Sequence, residues 1–269
     1  MAQAGEQRDS ETGGTPLVSR REHRVDIRLN RPAVHNRIEP ADIEALRATF
    51  AEIDADPEIR VVVLTGTGKS FSSGYHLGDL KERGASDGAV SPRENGFERL
   101  TDDLENLRPP TICALNGGVY GGSTDLALAC DFRIGVQNMQ MFMPAARLGL
   151  HYYTGGLVRY QRRLGLAAAK RLFLTAEAQD AERLLNLGFL DEIVAPEALS
   201  DRVDALAAQL VGNAPIAVQG MKKALNDISR GELDRAWADK AAAASMTTED
   251  AREGVTAWHE KRAPRFQGR

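Results

Sequence analysis

Residues 111–130 read "TICALNGGVYGGSTDLALAC" and join two apolar runs through a turn that contains four glycines. The first run predicts a buried strand, and "LALAC" at its end predicts a helix. Glycine lets the backbone bend tightly and lets another group approach closely, and a helix start presents unpaired N–H groups with partial positive charge. The turn therefore indicates either close strand-to-helix packing or a site for a small oxyanion.

A second turn of small residues and glycine, "GKSFSSGYHLGDL" (68–80), follows the β-branched run "VVVLTG" (61–66). If N–H donors from both turns converge on one carbonyl oxygen, they form an oxyanion hole, in which removal of one donor costs about 100- to 1000-fold in rate. Neither turn is a phosphate loop. Val63 stands where a Walker A motif needs its first glycine, and Val119 stands where a dinucleotide fingerprint needs its middle glycine.

The first 140 residues alternate predicted strands and helices, which indicates an α/β core. A polar stretch with Gly, Ser and Pro at residues 81–93 is a candidate mobile loop. Successive helical patterns follow Gly155, so we expect an α-rich region that packs on the core or on a neighbouring subunit. The predicted strands are 25–29, 61–66 and 111–116, and the predicted helices of the core begin at Pro40, Phe97 and Asp125.

The composition of the chain excludes several classes of function. With 269 residues, of which 42% are hydrophobic, the chain can bury a large core, and a net charge of −4 gives no field that would attract nucleic acid. Cys113 and Cys130 lie in apolar runs, which favours buried thiols in a reducing compartment. The polar residues 1–22 match no signal sequence, and no apolar run is long enough to span a membrane. We expect a cytoplasmic protein without a membrane or nucleic-acid partner, whose residues 1–22 are disordered.

Three runs carry a resemblance to a known family. They lie at 29–77, 108–134 and 248–269, and in this order they resemble the crotonase, or enoyl-CoA hydratase/isomerase, superfamily over about residues 23–269. The resemblance implies an α/β fold: a crotonase-like spiral core of strand-strand-helix turns over 23–195. It also implies a helical C-terminal oligomerisation region over 196–269, and assembly as homotrimers or homohexamers.

Members of this superfamily bind acyl-CoA thioesters and stabilise an enolate-like oxyanion with two backbone N–H groups. The resemblance assigns these groups to Tyr75 and Gly122. The thioester is the substrate, so we expect no further cofactor and no metal. The loops around the turns, and the C-terminal helix of a neighbouring subunit, bind the coenzyme in this family. On this chain the corresponding candidates are Lys69, Ser73, Lys261 and Phe266, with a solvated loop lysine as the alternative for Lys69.

The catalytic carboxylates are where this chain departs from the family. Typical hydratases use two glutamates, and these fall at Asp125 and Ala145. Aspartate is shorter than glutamate by one C–C bond, about 1.5 Å, a gap that a water can bridge. Alanine has no proton to give or take, so the usual two-carboxylate hydration cannot run unchanged.

Other side chains are candidates for the missing acid or base. The segment "FMPAARLGLHYY" resembles methylmalonyl-CoA decarboxylase, whose active-site tyrosine corresponds to Tyr152, but whose histidine falls at Tyr75 and not at His76. His76 is a second candidate because histidine titrates near neutral pH. Tyr120, His151 and Tyr153 are candidates for the lining of the acyl pocket, with a core aromatic as the alternative for Tyr120; at least one of His151 and Tyr153 is expected there.

Three hypotheses follow for the function. The first is hydration or isomerisation with Asp125 as the sole carboxylate, helped by Tyr152 or His76. The second is decarboxylation or hydrolysis of a carboxylate-bearing acyl group, for which no second glutamate is needed. The third is a catalytically quiet protein that binds coenzyme A.

Overall fold

The computed structural model describes residues 13–75 and 96–269. In this part of the chain the strands are β1 (Leu17–Arg21), β2 (Arg24–Leu29), β3 (Val61–Gly66), β4 (Ser70–Ser72), β5 (Thr111–Leu115), β6 (Gly118–Tyr120), β7 (Phe132–Val136), β8 (Gln140–Phe142), β9 (Gln179–Asp180) and β10 (Glu192–Val194). The α-helices are α1 (Pro40–Ala55), α2 (Phe97–Asn106), α3 (Gly122–Ala129), α4 (Thr154–Leu164), α5 (Leu166–Lys170), α6 (Ala181–Asn186), α7 (Leu199–Val211), α8 (Pro215–Arg230), α9 (Arg235–Ser245) and α10 (Glu249–Glu260).

The strands form two sheets that are connected as a spiral. The larger sheet has the order β1-β2-β3-β5-β7-β10 and the smaller one the order β4-β6-β8-β9. β3, β5 and β7 are parallel neighbours in the larger sheet, and β4, β6 and β8 are parallel neighbours in the smaller one. In each turn of the spiral, the first strand joins the larger sheet, the second joins the smaller sheet and a helix returns. This confirms the predicted α/β spiral of strand-strand-helix turns.

The local patterns explain the central elements. β3 is a continuous β-branched and apolar run, and five of its six residues are buried, as expected for a parallel strand covered on both faces. α1 begins after Glu39 with a capping box, in which the Asp42 carboxylate accepts from the Glu39 N–H at 3.0 Å, and Pro40 occupies the first turn. The apolar face of α1 packs into the core through Ile43, Leu46, Phe50 and Ile53.

The N-terminal segment differs from the prediction. Residues 17–21 were expected to be disordered, yet they form β1, which pairs antiparallel with β2 from Leu17 opposite Arg28 onwards. All five side chains of β1 are exposed, so β1 has no buried face that would predict it. It is held by its backbone pairing with β2 and by the ion pairs of Arg20 with Asp56 and of Arg21 with Asp26. Residues 1–12 and the predicted mobile loop at 81–93 lie outside the described residues.

The C-terminal helices cover one side of the core and leave apolar side chains at the surface. α7 packs on β3, β5 and β7, whereas Met221, Leu225 and Ile228 on α8 and Trp258 on α10 are exposed. Both cysteines are buried, as predicted, and burial raises the pKa of the Cys113 thiol. Among the described residues, no helix combines the length and the apolar character needed to cross a bilayer.

Candidate active site

The first predicted turn follows β4 and is held by the segment that precedes α1. The Ile38 N–H donates to the carbonyl of Gly74 at 2.9 Å. Ser72 Oγ donates to the carbonyl of Asn36 at 2.7 Å and accepts from the Gly74 N–H at 3.2 Å. These bonds fix the backbone that leads into Tyr75.

The second predicted turn follows β6 and opens α3. Gly121 has a φ of +55°, and its N–H donates to the carbonyl of Phe142 at 3.0 Å. α3 begins at Gly122, three residues earlier than the sequence pattern predicts for Asp125. The Gly122 amide is therefore in the first turn of a helix, where N–H groups have no partner within the helix.

The two turns are in direct contact. Gly74 has a φ of +96°, and a Cβ at this position would lie 2.7 Å from the Tyr120 carbonyl oxygen and 3.2 Å from the Gly122 nitrogen. Only glycine fits such an approach. The buried hydroxyl groups of Ser72 and Ser123 are 2.5 Å apart and join the first turn to α3. The turns that the sequence predicts to converge are thus fixed against each other.

Asp125 lies in α3 and is completely buried. Its Oδ2 accepts from Tyr153 Oη at 2.6 Å and from Arg159 Nη1 at 2.5 Å. Its Oδ1 is buried and has no hydrogen-bond partner among the described residues. Burial raises the pKa of the Asp125 carboxyl, although the Arg159 charge and the Tyr153 hydrogen bond oppose this shift. Asp125 is therefore a carboxyl that can take up a proton more readily than an exposed aspartate.

Two neighbouring tyrosines connect Asp125 to the first turn. Tyr152 stacks on Tyr153 with ring centroids 4.3 Å apart, and the Tyr152 hydroxyl donates to Tyr153 Oη at 3.3 Å. The rings of Tyr153 and Phe97 pack edge to face with their centroids 6.2 Å apart, and the centroids of the Phe97 and Tyr75 rings are 5.8 Å apart. Burial raises the pKa of both Tyr152 and Tyr153 well above the ordinary value. Tyr153, assigned by the sequence to the pocket lining, is the tyrosine that bonds Asp125.

Arg159 is the site residue that the sequence reading missed. Its side chain is 2% exposed, and its guanidinium contacts the carboxylates of Asp125, Asp102 and Glu105 at 2.5, 2.7 and 3.4 Å. The sequence contains a pattern that could have predicted these contacts. Acidic residues recur every three to four residues in α2, and the groups that they contact recur at the same spacing in α4. The pairs are Glu98 with the Gly155 N–H, Asp102 with Arg159 and Glu105 with Arg162, each separated by 57 residues.

The remaining predicted residues around the turns have diverse surroundings. Ala145 is buried at the start of a short 3₁₀ helix, Ala145–Leu148, and contributes no carboxylate. His151 is exposed, and its Nδ1 donates to the Tyr152 carbonyl at 2.8 Å. Ser73 Oγ donates to the carbonyl of Val34 at 3.0 Å. Tyr120 is half-buried, and its ring covers Gly118, where a Cβ would lie 2.1 Å from the hydroxyl.

The predicted coenzyme-binding residues lie in two separate regions. Lys69 is exposed beside the glycine turn, where its carbonyl oxygen would lie 2.1 Å from a Cβ at Gly117. Lys261 directly follows the last residue of α10, and Phe266 lies in the C-terminal tail, 3.5 Å from the position of a Cβ at Gly254. The tail thus folds back on the helix of its own chain. His76 lies outside the described residues.

Comparisons with known proteins agree on one family. Residues 21–269 match the family model described as enoyl-CoA hydratase/isomerase. The chain is 33% identical to the short-chain-enoyl-CoA hydratase of Clostridium acetobutylicum over 241 residues, covering 88% of this chain and 91% of that protein. It is 34% identical to the carnitinyl-CoA dehydratase of Citrobacter koseri over 252 residues, covering 91% and 95%.

The solved structures agree with this result. The crystal structure of an enoyl-CoA hydratase from Bacillus anthracis superposes with a TM-score of 0.86 at 30% identity, covering 95% of this chain and all of that one. An enoyl-CoA hydratase from Geobacillus kaustophilus superposes with a TM-score of 0.84 at 27% identity, covering 96% of this chain and all of that one. The chain therefore has the crotonase fold and belongs to the enoyl-CoA hydratase/isomerase family of acyl-CoA-processing enzymes.

Proposed function

We propose that the protein binds an acyl-CoA thioester and stabilises its enolate with the backbone N–H groups of Tyr75 and Gly122. The observation that carries this proposal is the contact between the two turns, in which the Gly122 nitrogen lies 3.2 Å from the position of a Cβ at Gly74. Preorganised amides of this kind stabilise negative charge without reorganising during the reaction. The glycines are then required so that the thioester oxygen can lie against the main chain.

The reaction we favour is a lyase-type addition or removal of water, with an isomerisation as the related possibility. Two relatives with at least 33% identity are named a hydratase and a dehydratase. In this reaction Asp125 is the acid/base carboxylate, assisted by Tyr152 or His76, because Ala145 removes the second glutamate. No cofactor besides the coenzyme A of the substrate takes part in this mechanism.

A second candidate is a decarboxylase or hydrolase, and the observation that favours it is the alanine at 145. Loss of CO2 from an acyl group generates the enolate directly, so no base is needed to form it. The enolate then needs only one proton donor, for which the tyrosine pair beside Asp125 is suitable.

The substrate-binding residues of this proposal surround the turns. Lys69 and Ser73 bind the coenzyme beside the first turn, and Tyr120, His151 and Tyr153 line the acyl pocket. Lys261 and Phe266 contribute from the C-terminal region of a neighbouring subunit. The proposal includes a homotrimer or homohexamer, because the apolar side chains of Leu225 and Trp258 are 65% and 83% exposed in the single chain. Analytical ultracentrifugation tests this assembly, and a monomer at micromolar concentration would contradict it.

The reaction is tested by incubating the purified protein separately with crotonyl-CoA, carnitinyl-CoA and methylmalonyl-CoA, followed by mass spectrometry of the thioesters. A gain or loss of 18 Da supports the lyase, whereas a loss of 44 Da or release of free coenzyme A supports the second candidate. Calorimetric titration with coenzyme A runs in parallel. An isomerase would change the chromatographic retention of a thioester but not its mass. If coenzyme A binds and no thioester changes in mass or retention, the protein is a catalytically quiet coenzyme A-binding protein and the enzymatic proposal is wrong.

A further inference from the structure

Of the two carboxylate oxygens of Asp125, Oδ2 alone has hydrogen-bond partners among the described residues. Aspartate is about one C–C bond shorter than the glutamate usual at this position, and Asp125 is completely buried. Its Oδ2 is held between the Tyr153 hydroxyl and the Arg159 guanidinium at 2.6 and 2.5 Å. The Tyr153 hydroxyl is therefore the nearest group through which this oxygen can exchange a proton with the acyl pocket.

The hydroxyl groups form a directed chain. Tyr152 donates to Tyr153, and Tyr153 donates to Asp125. The Tyr153 ring packs on Phe97, which in turn packs on Tyr75 beside the first turn. Tyr153 thus touches both the buried carboxylate and the aromatic group next to the proposed oxyanion hole.

We propose that Tyr153 relays protons between Asp125 and the acyl group, and that Arg159 positions Asp125 for this relay. This inference rests on the proposed function. When a proton leaves the substrate water or the acyl α carbon, Tyr153 Oη forms the new O–H bond. The former Tyr153 proton moves to Asp125 Oδ2 in the same step. On the return, the Asp125 proton moves to Tyr153, and the proton of Tyr153 goes to the α carbon of the enolate in hydration, or to the leaving hydroxide, which departs as water, in dehydration.

The relay accounts for two features of the site. Tyr153 is neutral before and after each step, which suits a tyrosine whose burial raises its pKa far above the ordinary value. Asp125 carries the proton between steps, which suits a carboxyl whose pKa is raised by burial. Arg159 donates to the same oxygen as Tyr153, so it fixes the orientation in which the relay operates.

Substitution of Tyr153 tests the relay. We expect Tyr153→Phe to lower turnover about 100-fold or more, the usual contribution of a positioned acid/base group, while the calorimetric Kd for the thioester changes less than about threefold. Tyr160→Phe is the matched control, because Tyr160 is also buried and its hydroxyl donates to Thr124. Its turnover should stay within about threefold of the wild-type value.

Substitution of Arg159 tests positioning through a pH profile. Lysine keeps the charge but cannot bond two carboxylates in the fork geometry of arginine. Arg159→Lys should therefore weaken the stabilisation of ionised Asp125 and move the acidic limb of the kcat/KM profile to higher pH. Arg162→Lys is the control, because Arg162 bonds Glu105 at 2.5 Å, and its limb should not move. The other groups that act on Asp125 are those of Tyr153, Glu105 and Asp102.

The outcomes separate this inference from the proposed function. If the wild-type protein converts no thioester, the proposed function fails and the relay fails with it. If the wild-type protein is active and Tyr153→Phe retains turnover within about threefold, the relay alone is wrong. Loss of turnover in Tyr152→Phe but not in Tyr153→Phe would also overturn it, because the proton would then pass through Tyr152. An identical pH profile for Arg159→Lys and wild type would remove Arg159 from its positioning role.

Discussion

Arg159 lies between two buried carboxylates that differ in the charge around them. Asp125 contacts one guanidinium and one tyrosine hydroxyl, and burial raises its pKa. Burial alone would also raise the pKa of Glu105, but the surrounding cations outweigh it and hold the pKa below its ordinary value. Among the described residues, the number of cations around each carboxyl accounts for the opposite directions of the two pKa shifts. Within the described part of the chain, the cations within 3.6 Å of Glu105 are Arg159, Arg162, Arg163 and Arg230.

The largest expected effect concerns the stability that the Glu105 carboxylate contributes. Glu105→Gln should lower the free energy of unfolding by about 3 to 5 kcal/mol, because several buried or half-buried guanidinium groups lose their shared counter-ion. Urea denaturation at neutral pH measures the change. Asp102→Asn is the control on the same helix, and its half-exposed carboxylate should cost less than about 1 kcal/mol. Equal losses for the two variants would contradict the role given to Glu105.

The next largest effect concerns Asp125, the proposed acid/base carboxylate. Asp125→Asn should lower turnover about 100-fold, which corresponds to about 2.7 kcal/mol in the activation barrier. The free energy of unfolding should fall less than in Glu105→Gln, because Arg159 keeps its contacts to the carboxylates of Asp102 and Glu105 when Asp125 loses its charge. Steady-state rates and urea denaturation measure the two quantities. Unchanged turnover would remove Asp125 from the mechanism, and a stability loss as large as that of Glu105→Gln would make the two acids alike.

The pH dependence of stability should have opposite signs at the two acids. The lowered pKa of Glu105 gives stability that is present above its ordinary value of 4.5 and is lost as the pH falls through the lower, folded-state value. The raised pKa of Asp125 favours the fold most below its ordinary value of 3.8, and this contribution declines as the pH rises through that value. Urea denaturation between about pH 3 and pH 7 measures both.

Relative to wild type, Glu105→Gln should therefore lose less stability as the pH falls through this range, whereas Asp125→Asn should gain relative stability as the pH rises. If the difference in unfolding free energy from wild type changes with pH in the same direction in both variants, the assignment of opposite pKa shifts to Glu105 and Asp125 is wrong.

The smallest expected effect comes from a substitution that alters the site without changing Asp125 or Glu105. Ser123→Ala removes the hydroxyl that lies 2.5 Å from Ser72 Oγ and should cost about 1 kcal/mol of unfolding free energy. Because the tie between the two turns is loosened, turnover should fall by less than about tenfold, and the acidic limb of the pH profile should stay where it is. Ser229→Ala removes an exposed hydroxyl on α8 and should change neither quantity. A shifted limb in Ser123→Ala would mean that Ser123 acts through Asp125.

The sequence predicts the fold wherever a local pattern decides the structure. The continuous β-branched run gives β3 with its observed bounds, and Glu39-Pro40 gives the start of α1. β1 escapes prediction because its five side chains are exposed, so the strand shows no alternation between a buried and an exposed face.

The site is predicted less completely, because its contacts are distant in the chain. The glycine turns and Asp125 follow from local pattern and resemblance, whereas the Arg159 contact to Asp125 spans 34 residues. The repeated spacing between the acids of α2 and the arginines of α4 is a usable signal for such contacts. Tyr152 and Tyr153 are adjacent, and the backbone direction at the start of α4 decides which ring bonds Asp125, which no local pattern records.

The central claim is that the amides of Tyr75 and Gly122 bind the same acyl oxygen. A crystal structure with a ketone analogue, in which CH2 replaces the thioester sulfur of acetyl-CoA, measures this directly. The account predicts that the ketone oxygen lies within about 3.1 Å of both amide nitrogens. A ketone oxygen bonded to only one of them, or bound away from both turns, would contradict it.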